Sequence, residues 1–398
     1  MRTRKIVYFV GAGLTKALER PGKPVPLMND FIRVMAERIE EDKDNVILGT
    51  LALLVSAGVF EHDCTEASGI IRSHTNFHEW TPEERVAFRR AMMDRPPESI
   101  ERLLENALEE APHDIAAPSA TRLVIAFIYA IARFFSLLDW EVEWGALEGF
   151  LRHQFARYPL ESHTHTFVSF NYDLILDRKV QELAWDAHHP GVPSWHPSTG
   201  YGFSISYYLP MDAKLGTRTD PKSLPRSPCV GVSILKPHGS LNWLVPQENS
   251  GRTGDIGYLL KDGPVSTPLG KEGEIGYPGF IVPTAVYPLG SLAVCIVPPT
   301  DPAKRVTLGF IERTRCMERK AIEEADEVYI LGWSMPTSDK DQRLLIAQAI
   351  AERERPISQV VAVNKRAGED YFDDVRQLFG TVNVTKHNNG FSEFAGGL

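Results

Sequence analysis

One stretch decides the fold of this chain: Thr166-Phe-Val-Ser-Phe-Asn-Tyr-Asp173. Its apolar part, Phe167-Val168, is typical of the buried end of a β-strand, and the polar residues Asn171 and Asp173 follow at once. The next residues, 174–176, are apolar again. Open parallel sheets bind ligands outside the carboxyl ends of their strands. A strand that ends in an amide and a carboxylate therefore predicts a ligand site at that edge of a sheet.

Four other apolar runs end in a similar way, in glycine or in polar side chains. They are followed by Gly11-Ala12-Gly13, Lys236-Pro-His238, Gly332-Trp-Ser334 and Asn364-Lys365. Helical periodicity separates most of these runs, and each run is almost continuously apolar. Such strands, alternating with helices, are typical of a parallel sheet covered on both faces. The sequence therefore predicts an α/β fold, with a Rossmann-like parallel sheet and helices on both faces.

Residues 45–158 differ from the rest because their pattern is helical throughout. Thr81-Pro-Glu-Glu84 is a strong helix start, with a capping hydroxyl, a proline in the first turn and a glutamate three residues after the cap. We predict an all-α insertion domain at 45–158, inside an α/β domain formed by 1–44 and 159–398. The most apolar helix, 123–138, is predicted to lie in the core of the insertion or, alternatively, at a subunit interface.

The bulk composition limits the class of protein. A net charge of −9 over 398 residues argues against a chain that holds nucleic acid by its own field, so no direct nucleic-acid binding is predicted. The longest apolar run, 123–132, is shorter than the roughly 20 residues that span a bilayer. No membrane segment is therefore predicted. The first residues lead directly into a strand, so no signal peptide is predicted either.

The cysteine spacing gives no sign of a metal or disulfide framework. The four cysteines are far apart and form no CxxC pair. Reduced cysteines in a cytoplasmic protein are the expectation. The four residues are Cys64, Cys229, Cys295 and Cys316.

Three of the strand ends carry residues that are capable of chemistry. Gly11-Ala12-Gly13 suits a phosphate, because no side chain blocks the backbone N–H groups and a helix follows. The alternative is an ordinary strand–helix turn, since Lys16 stands where the dinucleotide fingerprint has its third glycine. Asn171 and Asp173 have the alternative of a helix cap. His238 lies between a proline and a glycine, and it is either a proton-transfer group or a structural histidine.

Two long segments, 188–228 and 247–290, lack periodicity. The first is predicted to be a functional lid or a poorly ordered loop, and the second a small hairpin excursion. A cluster of metal-ligating residue types lies at the start of the first segment, but its spacing matches no standard pattern. A solvated loop is therefore the favoured interpretation, and no metal is predicted. The cluster is Asp186, His188, His189 and His196.

Taken in order, the strand ends resemble the signatures of the sirtuin-like superfamily, and most closely those of its bacterial defence branch. The GAG-x-S signature is matched by Gly11-Ala-Gly13 with Thr15, and S/T-x-N-Y-D by Ser169-Phe-Asn-Tyr-Asp173. The signature K-L-H-G-S-L-N-W is similar to Lys236-Pro-His-Gly-Ser-Leu-Asn-Trp243. L-G-Y-S-L/M-P-x-x-D is similar to Leu331-Gly-Trp-Ser-Met-Pro336 with Asp339, and the adenosine-side I-N to Val363-Asn364.

Three features of the family's protein deacylases are missing. Those enzymes carry a zinc module with two CxxC pairs, and this chain has no CxxC pair. Their Pro-Asp-Phe-Arg segment has only Asn29-Asp30-Phe31 as its nearest counterpart, and the glutamine of their T-Q-N is Phe170. The resemblance therefore implies NAD binding and cleavage of the nicotinamide–ribose bond, rather than peptide deacylation. The NAD-binding domain would be the Rossmann-like part, 1–44 and 159–398.

Carried over by position, the resemblance implies roles for ten residues. Asn171 would place a water below C1′ of the nicotinamide ribose, and His238 would act as a base toward the ribose hydroxyls or that water. Asp173 would orient the nicotinamide-ribose side or stabilise developing positive charge. The diphosphate would be bound by Gly11, Ala12 and Gly13, with a hydroxyl from Thr15. Phosphate or ribose would be contacted by Gly332 and Ser334, and the adenosine ribose by Asn364.

These roles imply a cytoplasmic NAD hydrolase, with NAD as substrate and no metal, that acts as an effector of bacterial antiphage defence. Free hydrolysis of NAD would kill the host cell, so the enzyme is expected to be restrained. A homo-oligomer, or a regulatory partner such as an ATPase or a nucleic-acid-guided sensor, would supply that restraint. Two alternatives stay open: an NAD-dependent protein deacylase, and a non-catalytic sensor that binds NAD or ADP-ribose.

Overall fold

The fold is known from a computed structural model of the chain. Most of the two long segments that lack periodicity, 188–228 and 247–290, falls outside the residues that the structure describes. The described residues are 3–27, 29–43, 45–62, 64–73, 79–100, 102–103, 106, 126–135, 142–188, 195, 197, 199–203, 206–208, 231–246, 258–260, 292–296, 309–336, 339–365, 367–380 and 383–398.

Strands and helices alternate over much of the described chain. The strands are β1 Lys5–Val10, β2 Thr164–Ser169, β3 Ser206–Tyr208, β4 Val232–Leu235, β5 Gly239–Pro246, β6 Tyr258–Leu260, β7 Leu292–Ile296, β8 Glu327–Leu331, β9 Gln359–Val363 and β10 Val384–His387. The helices are α1 Ala12–Ala17, α2 Phe31–Glu37, α3 Val46–Ser56, α4 Thr65–Ser73, α5 Pro82–Met93, α6 Gly145–Arg157, α7 Ile175–His188, α8 Gly309–Glu324, α9 Lys340–Ala351, α10 Glu369–Phe379 and α11 Phe391–Gly396.

Six strands form one parallel sheet in the order β10-β9-β8-β1-β2-β4. Counted along the chain, this is the doubly wound order 3-2-1-4-5-6, in which the direction of winding reverses beside β1. Val10 of β1 lies level with Ser169 of β2 and with Leu331 of β8. The carboxyl ends of the three central strands therefore meet at one edge, and the predicted Rossmann-like sheet is confirmed.

Both faces of the sheet are buried. In β1, Tyr8 packs into one hydrophobic cluster and Phe9 into the other, which explains why the strand is continuously apolar. The Tyr8 ring stacks on Phe167 with centroids 4.4 Å apart. Full burial of each large apolar side chain stabilises the fold by roughly 1.5–3 kcal/mol. Helices α1, α6, α7 and α11 cover the first face and α8 to α10 the second, which confirms helices on both faces.

A second sheet, with the strand order β3-β6-β5-β7, is not predicted from the sequence. Its strand β5 begins at Gly239, in the polar stretch that follows β4, where the sequence does not predict a new strand. Leu241 and Trp243 alternate in β5 with polar residues, a pattern that would indicate a strand with one exposed face. In the structure the polar side chains are buried as well, so both faces of β5 are covered. Gly239 turns the chain into β5 with φ +84°, and a Cβ there would lie 2.2 Å from the carbonyl oxygen of Cys295.

The segment predicted to be all-α contains α3, α4, α5 and the helical residues 126–135. The predicted start of α5 is confirmed as a capping box. The N–H of Glu84 donates to the Thr81 hydroxyl at 3.2 Å, and the N–H of Thr81 donates to the Glu84 carboxylate at 2.8 Å. Among the described residues, no helix combines the length and the apolar character needed to cross a membrane.

Helix α6 packs against the sheet, although it lies within the segment predicted as an insertion. Its Phe150 ring lies 5.9 Å from Tyr8 of β1 and 5.4 Å from Phe391 of α11. Residues of α3, α5 and α6 also belong to the same hydrophobic cluster as one face of the sheet. The division of the chain into two domains remains a prediction.

Candidate active site

A cavity of about 840 Å³ lies at the carboxyl ends of β1, β2, β8 and β9. Its volume falls in the upper part of the roughly 300–1,000 Å³ typical of small-molecule sites, and it lies where the winding of the sheet reverses. All ten residues that the sequence predicts for the site line this one cavity. They are Gly11, Ala12, Gly13, Thr15, Asn171, Asp173, His238, Gly332, Ser334 and Asn364.

Backbone hydrogen bonds join the first glycine turn to the turn after β8. The N–H of Gly11 donates to the carbonyl of Leu331 at 3.0 Å, and the N–H of Gly13 donates to the carbonyl of Gly332 at 2.9 Å. A Cβ on Gly13 would lie 2.8 Å from that carbonyl oxygen, so the close approach of the two turns requires glycine. Of the three residues of this turn, Ala12 is the one whose backbone N–H donates to no described acceptor, so it is the candidate donor to a phosphate.

A chain of hydrogen bonds connects Asn171 to Asp173 through Thr15. Asn171 Nδ2 donates to the carbonyl of Gly11 at 3.2 Å and to Thr15 Oγ1 at 2.9 Å. The Thr15 hydroxyl donates in turn to Asp173 Oδ2 at 3.0 Å. The amide nitrogen of Asn171 is thus used within the protein, and Oδ1 can accept a hydrogen bond from a bound water. Thr15 orients Asn171 here, and its contact with a phosphate remains a prediction.

Asp173 is buried, and both of its carboxylate oxygens accept hydrogen bonds. Besides Thr15 at Oδ2, the N–H of Ile175 in the first turn of α7 donates to Oδ1 at 3.1 Å. Burial raises the pKa of Asp173, and the nearby ammonium of Lys236 opposes that shift. Asp173 lies two residues before α7 and accepts the N–H of its first residue, so one carboxylate oxygen contacts the start of the helix, and the helix-cap interpretation stays open. Its contact with the nicotinamide ribose remains a prediction.

His238 lies against an aromatic wall and close to an acid. Its ring centroid is 5.6 Å from that of Phe170, which packs 4.6 Å from Trp333. Its Nε2 lies 3.8 Å from Oδ1 of Asp339, and the other carboxylate oxygen of Asp339 accepts a hydrogen bond from the Trp333 indole at 3.1 Å. No role in the site is predicted from the sequence for these three neighbours. Phe170 and Trp333 follow strand ends and Asp339 belongs to the motif after β8, and these are the signals that could have indicated a role.

Residues on either side of this histidine form a buried polar network. Lys236 Nζ donates to the backbone carbonyl of Asp173 at 2.6 Å and pairs with Asp177 at 3.2 Å. The Tyr201 hydroxyl donates to Asp177 at 2.6 Å and accepts from Asn242 at 3.0 Å. Such a satisfied network makes the packing of its members specific. It ties β5 and the turn before it to α7, so Lys236 and Asn242 support the site rather than line it.

The remaining predicted residues line the cavity together with side chains that were not predicted. Ser334 and Asn364 are joined by Lys365 and Asn389. The N–H of Asn364 donates to the carbonyl of His387 at 3.0 Å, which fixes the turn after β9 to β10. This part of the cavity offers amides, a hydroxyl and one cation, a set that suits ribose hydroxyls and phosphate oxygens.

Helix α2 and the predicted helical insertion together contribute an apolar wall to the cavity. Phe31, Ile100 and Phe135 line it, and the rings of Phe31 and Phe135 lie 5.7 Å apart. Their sequence spacing is that of ordinary core residues, so nothing in the sequence indicates this position.

The predicted alternative of a metal at residues 186, 188, 189 and 196 lies outside the residues whose side chains the structure describes. Among the side chains that it does describe, no group of three or more His, Cys, Asp and Glu residues is arranged to hold a metal ion.

No protein-family model matches the chain, and comparison with curated proteins gave no match. The resemblance to the sirtuin-like superfamily therefore rests on the short motifs and on the cavity that their residues line.

Proposed function

We propose that this protein hydrolyses NAD at the bond between nicotinamide and ribose. The observation that carries the proposal is that Asn171 and His238, which are far apart in sequence, line one cavity at the switch point of a doubly wound sheet. Eight further residues taken from the same motifs line it too. The sirtuin-like resemblance supplies the identity of the nucleotide.

The reaction needs a positioned water and an acceptor for one proton. The C1′–nitrogen bond breaks, its electron pair leaves with neutral nicotinamide, and positive charge develops on the ribose. A water oxygen bonds to C1′ and loses a proton, which gives ADP-ribose. Asn171 Oδ1 would accept a hydrogen bond from this water, and His238 would take the proton. General base catalysis of this kind contributes about 10²–10⁴-fold.

The aromatic wall fits the part of NAD that leaves. The nicotinamide ring of NAD carries a positive charge before the bond breaks, and a cation is attracted to the face of an aromatic ring. Phe170 and Trp333 line the cavity beside His238. They would hold the ring next to the catalytic pair and exclude bulk water from it.

The biological role follows from the toxicity of the reaction. Depletion of NAD stops host metabolism, which would make this protein a cytoplasmic effector of antiphage defence. A homo-oligomer, or a regulatory partner such as an ATPase or a nucleic-acid-guided sensor, would hold it inactive until infection. Cells that carry the protein should then lose NAD after phage infection, and cells that carry Asn171→Ala should keep it.

The enzymatic proposal is tested by incubating the purified protein with NAD and measuring nicotinamide release, with and without an acetylated peptide. Asn171→Ala and His238→Ala should each lower the rate by about 10²-fold or more. His153→Ala, on the half-buried surface of α6, is the matched control and should keep the wild-type rate. Circular dichroism would show that the variants are folded.

The outcomes separate the candidate functions. Release of nicotinamide without peptide, lost in both variants, supports the hydrolase. Release only with peptide would favour the deacylase. Binding of NAD or ADP-ribose without turnover, in the presence of lysate from phage-infected cells as a source of trigger and partner, would overturn the enzymatic proposal in favour of the sensor.

A further inference from the structure

Asp339 has a carboxylate oxygen whose environment is unusual. The residue stands at the N-cap of α9, where an aspartate ordinarily accepts hydrogen bonds from the first helical N–H groups, but it makes no such bond. Its side chain is 4% exposed. Oδ2 accepts the indole N–H of Trp333, whereas Oδ1 is fully buried and accepts no hydrogen bond from any described residue. An unsatisfied buried carboxylate oxygen is costly, so a further role for it is expected.

The imidazole of His238 is the group that approaches this oxygen, with Nε2 at 3.8 Å. Two other ionisable side chains lie near Asp339, but neither compensates its negative charge. Glu318 of α8 is itself acidic and buried. Arg343 of α9 donates to the carbonyl of Met335 at 3.4 Å and pairs with Asp374 at 3.5 Å.

We propose that Asp339 is a positioning residue for His238, a role that rests on the proposed NAD hydrolysis. A proton on Nε2 faces Oδ1, which fixes the tautomer and the ring orientation of the imidazole and makes Nδ1 the nitrogen that accepts a proton. The negative charge also stabilises the imidazolium that proton transfer produces. A separation of 3.8 Å is too long for a hydrogen bond, but such contacts often tighten when a ligand fills the site.

Trp333 holds the acid in place. Its indole N–H fixes Oδ2 of Asp339, and its backbone carbonyl accepts a hydrogen bond from the Tyr371 hydroxyl at 2.8 Å. The indole thus orients the carboxylate, and the carboxylate orients the base, which is the arrangement that activates histidine bases in hydrolases. Trp333→Phe would keep the aromatic wall but remove the donor, so it should reproduce part of the effect of losing the acid.

The first test reads the histidine directly, without any turnover. The full-length protein with ¹⁵N-labelled histidine is compared with Asp339→Asn at a pH where the imidazole is neutral, and the His238 signals are assigned by their loss in His238→Gln. In the wild type the ¹⁵N shifts should report a proton predominantly on Nε2. In Asp339→Asn this preference should be lost, whereas Asp341→Asn, in the first turn of the same helix, should leave it unchanged.

The second test is kinetic. Asp339→Asn should lower kcat for nicotinamide release by about 10–100-fold, which is less than the roughly 10²–10⁴-fold that a general base contributes, with KM changed by less than about threefold. The pH dependence of kcat should also change, because the base is no longer held in one form. Asp339→Glu, which restores the charge, should recover part of the rate, and Asp341→Asn should match the wild type.

Two results would overturn the positioning role: an unaltered tautomer in Asp339→Asn, or a rate and pH profile indistinguishable from those of Asp341→Asn. Its failure is distinguishable from that of the proposed function. If the wild type releases no nicotinamide even with lysate from phage-infected cells, but the tautomer depends on Asp339, the NAD hydrolase is wrong and the contact between the two side chains is confirmed. If the wild type is active and the tautomer does not depend on Asp339, only the positioning role is lost.

Discussion

At the scale of single residues, the candidate site depends on side chains that contact each other more than they contact the open cavity. Thr15 shows this most clearly, because its hydroxyl accepts from Asn171 and donates to Asp173. The orientation of the predicted water-binding amide is therefore set by a residue that itself makes no chemical step. Loss of this hydroxyl would remove the donor to Oδ2 of Asp173 and leave the Asn171 amide with the carbonyl of Gly11 as its acceptor.

Thr15→Val removes this hydroxyl while it keeps the shape of the side chain. A buried polar group left unsatisfied costs about 1–3 kcal/mol, so the free energy of unfolding should fall by roughly 1–3 kcal/mol as Oδ2 of Asp173 loses its donor. The rate of nicotinamide release should fall as well, since Asn171 is then held by Gly11 alone. Thr15→Ser retains the hydroxyl and should stay within about 1 kcal/mol of the wild type in urea unfolding. Equal stabilities for the two variants would contradict the relay.

Gly332 is the residue at which the backbone itself limits substitution. Its φ of +65° is left-handed, and a Cβ would lie 2.3 Å from the backbone nitrogen of Leu14. Gly332→Ala should therefore lower the free energy of unfolding by about 2 kcal/mol or more. Gly149→Ala is the matched control, because it lies inside α6 with open space around it and should stabilise by up to about 1 kcal/mol. Urea unfolding of both variants measures the difference.

At the scale of elements, the turn that carries His238 is held by the ion pair of Lys236 and Asp177. Both side chains are fully buried, and the pair connects the end of β4 to α7. A buried ion pair need not stabilise a fold, but removal of one partner leaves the other charge buried without compensation, which is strongly destabilising. The pair therefore makes the position of the turn specific.

A double-mutant cycle measures this dependence. Lys236→Met alone should lower the free energy of unfolding by about 3–5 kcal/mol, because the Asp177 carboxylate loses its cation. The double variant, with Asp177→Leu in addition, should recover a large part of that loss. Lys320→Met, at an exposed position of α8, should have almost no effect. Additive losses in the double variant would show that the two side chains act independently.

The elements also show what local patterns can and cannot predict. The central strands and the capping box of α5 are predictable because continuous apolar runs and capping residues are features of residues that are neighbours in sequence. Strand β5 is not, since its polar residues are buried by partners such as Tyr201, which are distant in sequence. The cavity-lining motifs are predictable from strand ends, whereas the contact of His238 with Asp339 depends on tertiary packing that no spacing reveals.

At the scale of the whole molecule, buried ionisable groups on different faces of the sheet give opposite pH dependences. Burial lowers the pKa of His165 to about 4. Between about 6.5 and 4 the unfolded histidine binds a proton that the folded one does not, so the free energy of unfolding falls as the pH falls. Burial raises the pKa of Glu318 to about 8. Between about 4.5 and 8 the unfolded carboxyl has lost a proton that the folded protein keeps, so stability falls as the pH rises.

Glu318→Gln should remove the alkaline part of this dependence. A pKa difference is worth about 1.4 kcal/mol per unit, so the variant should exceed the wild type by several kcal/mol at pH 8, with the gain shrinking toward pH 5. Urea unfolding across this pH range is the measurement. Glu312→Gln, at an exposed position on the same helix, is the control and should give a flat difference. A gain that is independent of pH would contradict a buried neutral carboxyl.

The strand order determines at which stage of synthesis the candidate site is complete. The cavity takes one wall from the turn after β1, near the start of the chain, and another from the turns after β8 and β9, beyond residue 331. A nascent polypeptide on the ribosome, or a fragment left by a protease, lacks one of these walls. The proposed hydrolysis of NAD would therefore begin only once translation has passed both, and a single cleavage that releases either part would end it.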